Sequence, residues 1–555
     1  MPLLFWLDAD QHRYLGLEYA LLYVAAALAI LPFVWTEEER ALSSARGTAL
    51  FFAVVGLALL AGRWAPLFVR EALNIDEAGM LALADQMRHF PIPWVDYDPQ
   101  TVGPLDAAVL NVPLLVGISP GWIGTRLAAI GITMCALGGL YATIALVFEA
   151  RVARLAVIPP LLFFTTVYER DFLHYSSELL PMALTIWAIF LLLLAVRRRL
   201  DPWPVAGCAF IAGAMPFAKL QAAPIGLALF GLLVLALAGF LRIAWSVRWK
   251  RLLLAVGAAA VVPVVTLLPV AARGELHDFW VSYILSGINY IWWADISPMF
   301  VLGTPEFSQF FDPAALIALE GIALIVLFWP RLGTLQKIAP FVFGAVLWAA
   351  LYAIYVPRHG SAHYLLLAAF PIASCAAYAV GIAIERAAEI AGAMRRRFAT
   401  SALAVLFLIA SCIAMPWKAV GSPYVGWLGS ELDRPLNPTA AAIDDHIGKD
   451  ARVAIWGWAP NMWVDSQTLM GTRDLLCQHQ IDPGPYREYY RQRFLADFIA
   501  IKPAGFLDAV TPDSFGYQNQ AEQGFESFPA LAAVVHRDYV LMATIGKGFR
   551  IYKRR

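Results

Sequence analysis

Apolar runs long enough to cross a lipid bilayer recur through most of this chain, and no other feature constrains its fold as strongly. A spanning helix needs about 17–25 such residues, because lipid offers no partners to backbone N–H and C=O groups. Runs of this kind stand near residues 16–35, 48–69, 122–148, 152–168, 178–196, 203–219, 222–241, 252–271, 313–329, 338–356, 364–384 and 399–416. With 60% of its 555 residues hydrophobic and only 15% charged, the chain is far from the usage of a water-soluble domain. A mainly α, polytopic membrane helix bundle of about twelve spans is expected. The chain carries no net formal charge and no basic stripe, so nucleic acid is not an expected partner. Cys135, Cys208, Cys375 and Cys412 fall in apolar runs and Cys477 stands apart, giving neither a disulfide framework nor a metal-spaced pair. The opening MPLLFWLDADQHRYLG lacks a basic region and a small-residue cleavage site, so no cleaved signal peptide is expected.

Short loops rich in Lys and Arg stay in the cytosol. RRRL (197–200), RIAWSVRWKR (242–251), RLGTLQK (331–337) and ERAAEIAGAMRRR (385–397) alternate as that rule requires and fix the inside. PLDAAVLNVPLLVGI (104–118) is apolar but short, and counting it as a span would break the alternation, so it is expected to lie in the outer interface. Residues 70–121, 168–178 and 272–312 then become external loops. Beyond residue 416 the composition turns polar, with strand patterns at 452–460 and 504–510 and a terminal hairpin at 538–553. This divides the chain into a membrane domain, 1–416, and a periplasmic α/β domain, 417–555.

The first external loop opens with two adjacent carboxylates in LNIDEAGMLALADQMRHF (73–90). On a helix Asp76 shares a face with Met80, Leu83 and Met87, while Glu77 points elsewhere, so Asp76 is expected to be the half-buried acid. Helix capping is the ordinary alternative for it. Glu178, in HYSSELLPMAL, begins a span, and Lys219, in AMPFAKLQAAP, ends one. Arg358, His359 and His363 share the loop PRHGSAHY, and Arg170 lies in YERD. Each has an ordinary role too: dipole complement, snorkelling, interface histidine, local ion pair. Together, two separated carboxylates and several cations on one side of a bundle suit proton removal from an attacking hydroxyl and stabilisation of a leaving phosphate. Sugars activated on nucleotides are cytosolic, so an external site of this kind points to a sugar carried on a lipid phosphate.

These residues resemble the integral-membrane glycosyltransferases of the GT-C fold, in particular the protein O-mannosyltransferase and lipid A aminoarabinose transferase group. NIDEAGMLALADQM resembles the Asp-Glu opening of that group's first loop, YDPQTVGPLDAAVL followed by IGTRLAAI its interfacial Pro-Leu helix and an Arg-Leu span entry at Arg126, and SSELLPMAL its acidic-Pro element. AMPFAKLQAAPI resembles its Lys-containing span. The likeness is specific over residues 48–240. It implies Asp76 as catalytic base with Glu77 beside it, Glu178 positioning donor or acceptor, a polyprenyl-phosphate sugar as donor, and inversion by one in-line displacement. The acceptor would be an extracytoplasmic glycan, lipid or protein. The chain departs from the group at Gly79, where relatives carry Arg, and at Gln100, Thr101 and Val102, so Lys219, Arg358, His363 and Arg170 are the substitutes expected at the donor phosphate. A divalent metal could join external acids, although no ligand set stands out. IWGWAPNMWVDSQTLMGTRD (455–474) resembles a motif of extracytoplasmic domains without a known role, and Trp456, Trp458 and Trp463 are either acceptor-stacking or core residues. The location expected is the bacterial cytoplasmic membrane, among membrane lipids, with the active side and C-terminal domain in the periplasm. A non-enzymatic transporter or flippase of lipid-linked glycans is the alternative.

Overall fold

A computed structural model describes residues 45–167, 169–240, 244–291, 305–357, 361–390 and 437–555. The main helices are α1 (Ala45–Gly62), α2 (Ile75–His89), α3 (Pro104–Leu110), α4 (Trp122–Val147), α5 (Ala150–Thr166), α6 (Leu179–Arg197), α7 (Pro202–Ala218), α8 (Ala223–Leu235), α9 (Trp245–Ala272), α10 (Pro305–Phe328), α11 (Thr334–Tyr355) and α12 (Leu366–Ile390). Among the described residues, 8 helices are long and apolar enough to cross a membrane. The shorter α5 and α7, each 17 residues, occupy two further expected spans. The expected spans at 16–35 and 399–416 lie outside the described residues, as do Arg358, His359 and Cys412.

The described residues divide into two compact units. The first, Met1–Leu67 with Ala129–Pro263 and Ala294–Ser430, is a helix bundle in which α12 packs on α5, α6, α10 and α11. The segments around α6 and α12 are its most enclosed spans, whereas the α10 segment is covered least, so apolar side chains such as Leu319 and Val326 face outward. An apolar exterior is what lipid contact requires. Helix α1 meets α5 at Gly62, where a Cβ would stand 2.5 Å from the Thr165 carbonyl oxygen. Only glycine permits that approach.

The second unit gathers Phe68–Ala128, Val264–Trp293 and Glu431–Arg555. Its centre is a five-stranded sheet of order β2-β1-β3-β5-β4, built from β1 (Arg452–Trp456), β2 (Leu469–Met470), β3 (Gly505–Asp508), β4 (Tyr539–Ile545) and β5 (Phe549–Arg554). β1 runs parallel to β2 and β3, and β5 pairs antiparallel with β3 and β4. Side chains alternate across a strand. Val453, Ile455, Leu507 and Ile551 therefore join one core with Ala82, Leu83, Tyr97 and Ala107 of the loop after α1. Ala454, Trp456, Phe506 and Tyr552 join the other, with Phe494 and Phe498 of α15 (Arg487–Ile501) and Leu531 of α16 (Pro529–Asp538). Two more helices, α13 (Pro438–His446) and α14 (Asn461–Ser466), flank the first of these cores. The three strand regions expected from sequence are present, and two-residue β2 is an addition.

The short helix α3 is followed by a 3₁₀ turn, Val112–Val116, in which Leu115 is 84% and Val116 76% exposed. Too short to cross a bilayer, this stretch presents greasy residues outward while burying Ala107 and Leu110. That is the form expected of a segment lying in an interface.

Candidate functional site

Asn74 caps α2, its side chain accepting the Asp76 N–H at 3.0 Å. The two acids of the first turn then part company. Glu77 is fully buried: its carboxylate takes Nε and Nη2 of Arg126 at 3.0 and 2.9 Å and the Leu73 N–H at 3.0 Å. Arg126, only 2% exposed, also donates to the Val69 carbonyl and, at 2.6 Å, to that of Glu71. Asp76 is half-buried as expected, but Glu77, expected to point away from the covered face, is the more enclosed of the two. Helical spacing reveals which residues share a face but not which face finds a cover, and the partner that draws Glu77 inward lies 49 residues along the chain. A buried, bidentate Arg–carboxylate pair fixes geometry and neutralises its acid. Glu77 thus anchors the N-terminal turn of α2 and leaves Asp76 as its more accessible carboxylate.

A second cluster forms in the helix bundle, at the N-terminus of α6. Glu178, fully buried, accepts from Ser176, from Ser177 and from the Lys219 ammonium. Lys219 also donates to Ser177 Oγ at 2.7 Å and stands 5.0 Å from the centre of the Tyr364 ring. His363 brings Nδ1 to 3.2 Å from Asp171 Oδ2 and Nε2 to 3.9 Å from Glu178 Oε1. Its ring meets that of His174 edge to face at 5.8 Å. His174 Nδ1 lies 2.8 Å from the Arg170 carbonyl, which can only accept, so Nδ1 carries the hydrogen. Arg170 itself is exposed. Of the expected phosphate-binding residues, Lys219 and His363 are thus brought together around Glu178, with Arg170 close by in sequence. Asp171 and His174 are members of the cluster that sequence reading passed over, although both lie in the quoted YERDFLHYSSE.

In the C-terminal region Trp456 is completely buried, its indole N–H donating to the Gln523 carbonyl at 2.8 Å and its ring packed among Phe494 and Phe528. Trp463 is equally enclosed and donates to the Val453 carbonyl. Their faces are occupied by the core. Trp458 is half-buried, edge-on to Phe515. Among the described residues no group of three or more His, Cys, Asp or Glu side chains is arranged to hold a metal ion.

No protein-family model matches the chain, and no curated protein matches it by sequence. Its architecture does match solved structures. The crystal structure of ArnT from Cupriavidus metallidurans bound to undecaprenyl phosphate is similar with a TM-score of 0.54 at 15% identity, covering 92% of this chain and 98% of that one. The same protein in the apo state gives a TM-score of 0.52 at 16% identity over the same shares. The chain has the GT-C fold. The Asp76-Glu77 pair occupies the first turn of α2.

Proposed function

We propose that this GT-C chain is an inverting glycosyltransferase that moves a sugar from a polyprenyl phosphate to the hydroxyl of an extracytoplasmic glycan, lipid or protein, on the periplasmic side of a bacterial cytoplasmic membrane. The observation that carries this reading is the division of labour in α2: Glu77 is neutralised by Arg126, and Asp76 beside it is half-buried. The undecaprenyl phosphate bound by the structurally similar ArnT supports a lipid phosphate as the leaving group. In the proposed step Asp76 accepts the proton of the acceptor hydroxyl as its oxygen bonds to the anomeric carbon. The bond from that carbon to the phosphate oxygen breaks, and its electron pair leaves on the polyprenyl phosphate. A single displacement inverts the anomeric centre. Glu178 positions Lys219 and His363, which together with Arg170 and Arg358 are assigned to the donor phosphate, where cations stabilise developing charge.

The test offers purified protein a panel of polyprenyl-phosphate sugars and measures released polyprenyl phosphate. One donor is expected to be consumed, and Asp76→Asn is expected to abolish release while the folded protein still binds that lipid. Near-normal turnover by Asp76→Asn would remove the base assignment. Movement of labelled lipid across vesicles without release of free lipid phosphate would favour a transporter instead.

A further inference from the structure

The motif around residues 455–474 has no role in the chemistry above, yet within the second unit the part of it from Asp465 onward holds the loop that carries Asp76. Asp465 Oδ1 accepts from Trp122 Nε1 at 3.2 Å. The Trp122 ring in turn lies 5.6 Å from the Arg126 guanidinium, the cation that grips Glu77. At the other end of α2, Gln86 Oε1 accepts the Met470 N–H at 3.2 Å. The Asp98 N–H donates to the Arg473 carbonyl at 2.7 Å, Arg473 Nη1 donates to the Trp94 carbonyl at 2.9 Å, and Gln100 Nε2 to the Leu476 carbonyl at 3.3 Å. Arg493 ties Asp98 to Asp474 from behind.

Two further observations show that this grip is tight. Trp94 (φ 60°) and Gln100 (φ 54°) hold left-handed backbone without being glycine, a conformation that persists only where surroundings over-determine it. Both are partners of the 473–476 stretch. Gly79, three residues after Asp76, has no side chain where a Cβ would stand 3.3 Å from Leu475 Cδ2. The space beside Gly79 is filled by Leu475, which is itself buried with Leu83, Met470 and Trp463.

We propose that residues 465–476 are a positioning clamp for α2: Leu475 seated on Gly79, and Asp465 acting through Trp122 and Arg126 on Glu77, together set the place of Asp76. The catalytic consequence rests on the function proposed above, whereas the clamp itself does not. The residues act on Asp76 as positioning residues.

The test uses the full-length protein in detergent. Gly79→Leu forces Leu475 off the helix, and Gly79→Leu/Leu475→Gly returns the space. Amide hydrogen exchange across residues 75–89 is expected to rise about tenfold in the single variant and to fall back in the double, since overpacking that is relieved restores the helix. With the donor identified by the lipid panel, kcat is expected to fall by roughly 10²-fold in the single variant, with donor KM unchanged and recovery in the double, as befits a misplaced group and not a lost binding contact. Unchanged exchange in Gly79→Leu, or a rise that the double variant does not reverse, overturns the clamp. Looser exchange with unchanged kcat and KM overturns its positioning role. If the wild-type protein releases no lipid phosphate from any donor, the proposed function falls while the exchange pair still decides the clamp.

Discussion

Two carboxylates open two helices in this protein, Asp76 in the first turn of α2 and Glu178 immediately before α6, and their surroundings are opposite. Glu178 is enclosed, with serine hydroxyls and a lysine ammonium on its oxygens. Asp76 is half-buried, and the charge beside it, on Glu77, is cancelled by Arg126. A carboxylate enclosed by an ammonium and hydroxyls is closed to an incoming hydroxyl, whereas a half-buried one keeps contact with its surroundings. The contrast teaches that two acids with the same local sequence setting take different work from what packs around them. In the function proposed above, Asp76 is the base and Glu178 the organiser of the cations beside it.

The largest effect expected from that contrast is on chemistry. Asp76→Asn should lower lipid-phosphate release by about 10²–10⁴-fold while leaving the thermal midpoint in detergent nearly unchanged. If Glu178→Gln gave the same profile, an activity loss with full stability, the two acids would be equivalent and the contrast would break. Next comes stability. Glu178→Ala strands the Lys219 ammonium in a buried site and is expected to cost about 3–5 kcal/mol, and adding Lys219→Met should recover most of it, as read from unfolding midpoints. Glu77→Gln is expected to cost less, about 1–3 kcal/mol, because Arg126 keeps the Val69 and Glu71 carbonyls as acceptors; faster amide exchange in α2 would register it.

The smallest effect concerns pH. Burial, with the Glu71 charge adding to it, pushes the Asp465 carboxyl up to about 7 against the Trp122 hydrogen bond, and its Oδ2 is buried with no hydrogen-bond partner. The folded state therefore holds a proton that the unfolded chain releases at an ordinary aspartate pKa. Stability from this group is full below about pH 4, declines as pH rises toward 7, and stays low above it. Asp465→Asn keeps an oxygen for Trp122 and removes the titration. Its midpoint should exceed that of the parent at pH 8 and match it near pH 4. Equal differences at both values would show that the carboxyl is not held protonated.

Much of this was legible in sequence, and the exceptions share a cause. The spans follow from apolar length, which is a property of one segment at a time. The strands at 452–456 and 505–508 and the hairpin at 539–554 follow from local alternation and turns. Asp76 was legible as a candidate from its motif, but its burial relative to Glu77 was not, because Arg126 decides it from another helix. Strand β2 is two residues long and exists through its pairing with β1, so no local pattern announces it. Composition drew a domain edge near residue 416, outside the described residues. What it could not register is that residues 68–128 and 264–293 fold into one compact unit with the C-terminal stretch, since the contacts that join them, such as Asp278 to Arg473 and Ser286 to Tyr490, are far apart in the chain.

That distance has a consequence for biogenesis. Gln86 waits for a partner 384 residues downstream and Asp98 for one 395 residues downstream. Contacts of such long range close late, after the intervening chain has been made and its hydrophobic segments inserted. The loop bearing the acid pair must therefore leave the ribosome long before its supports exist, and enzyme competence would arrive as one of the final events of synthesis.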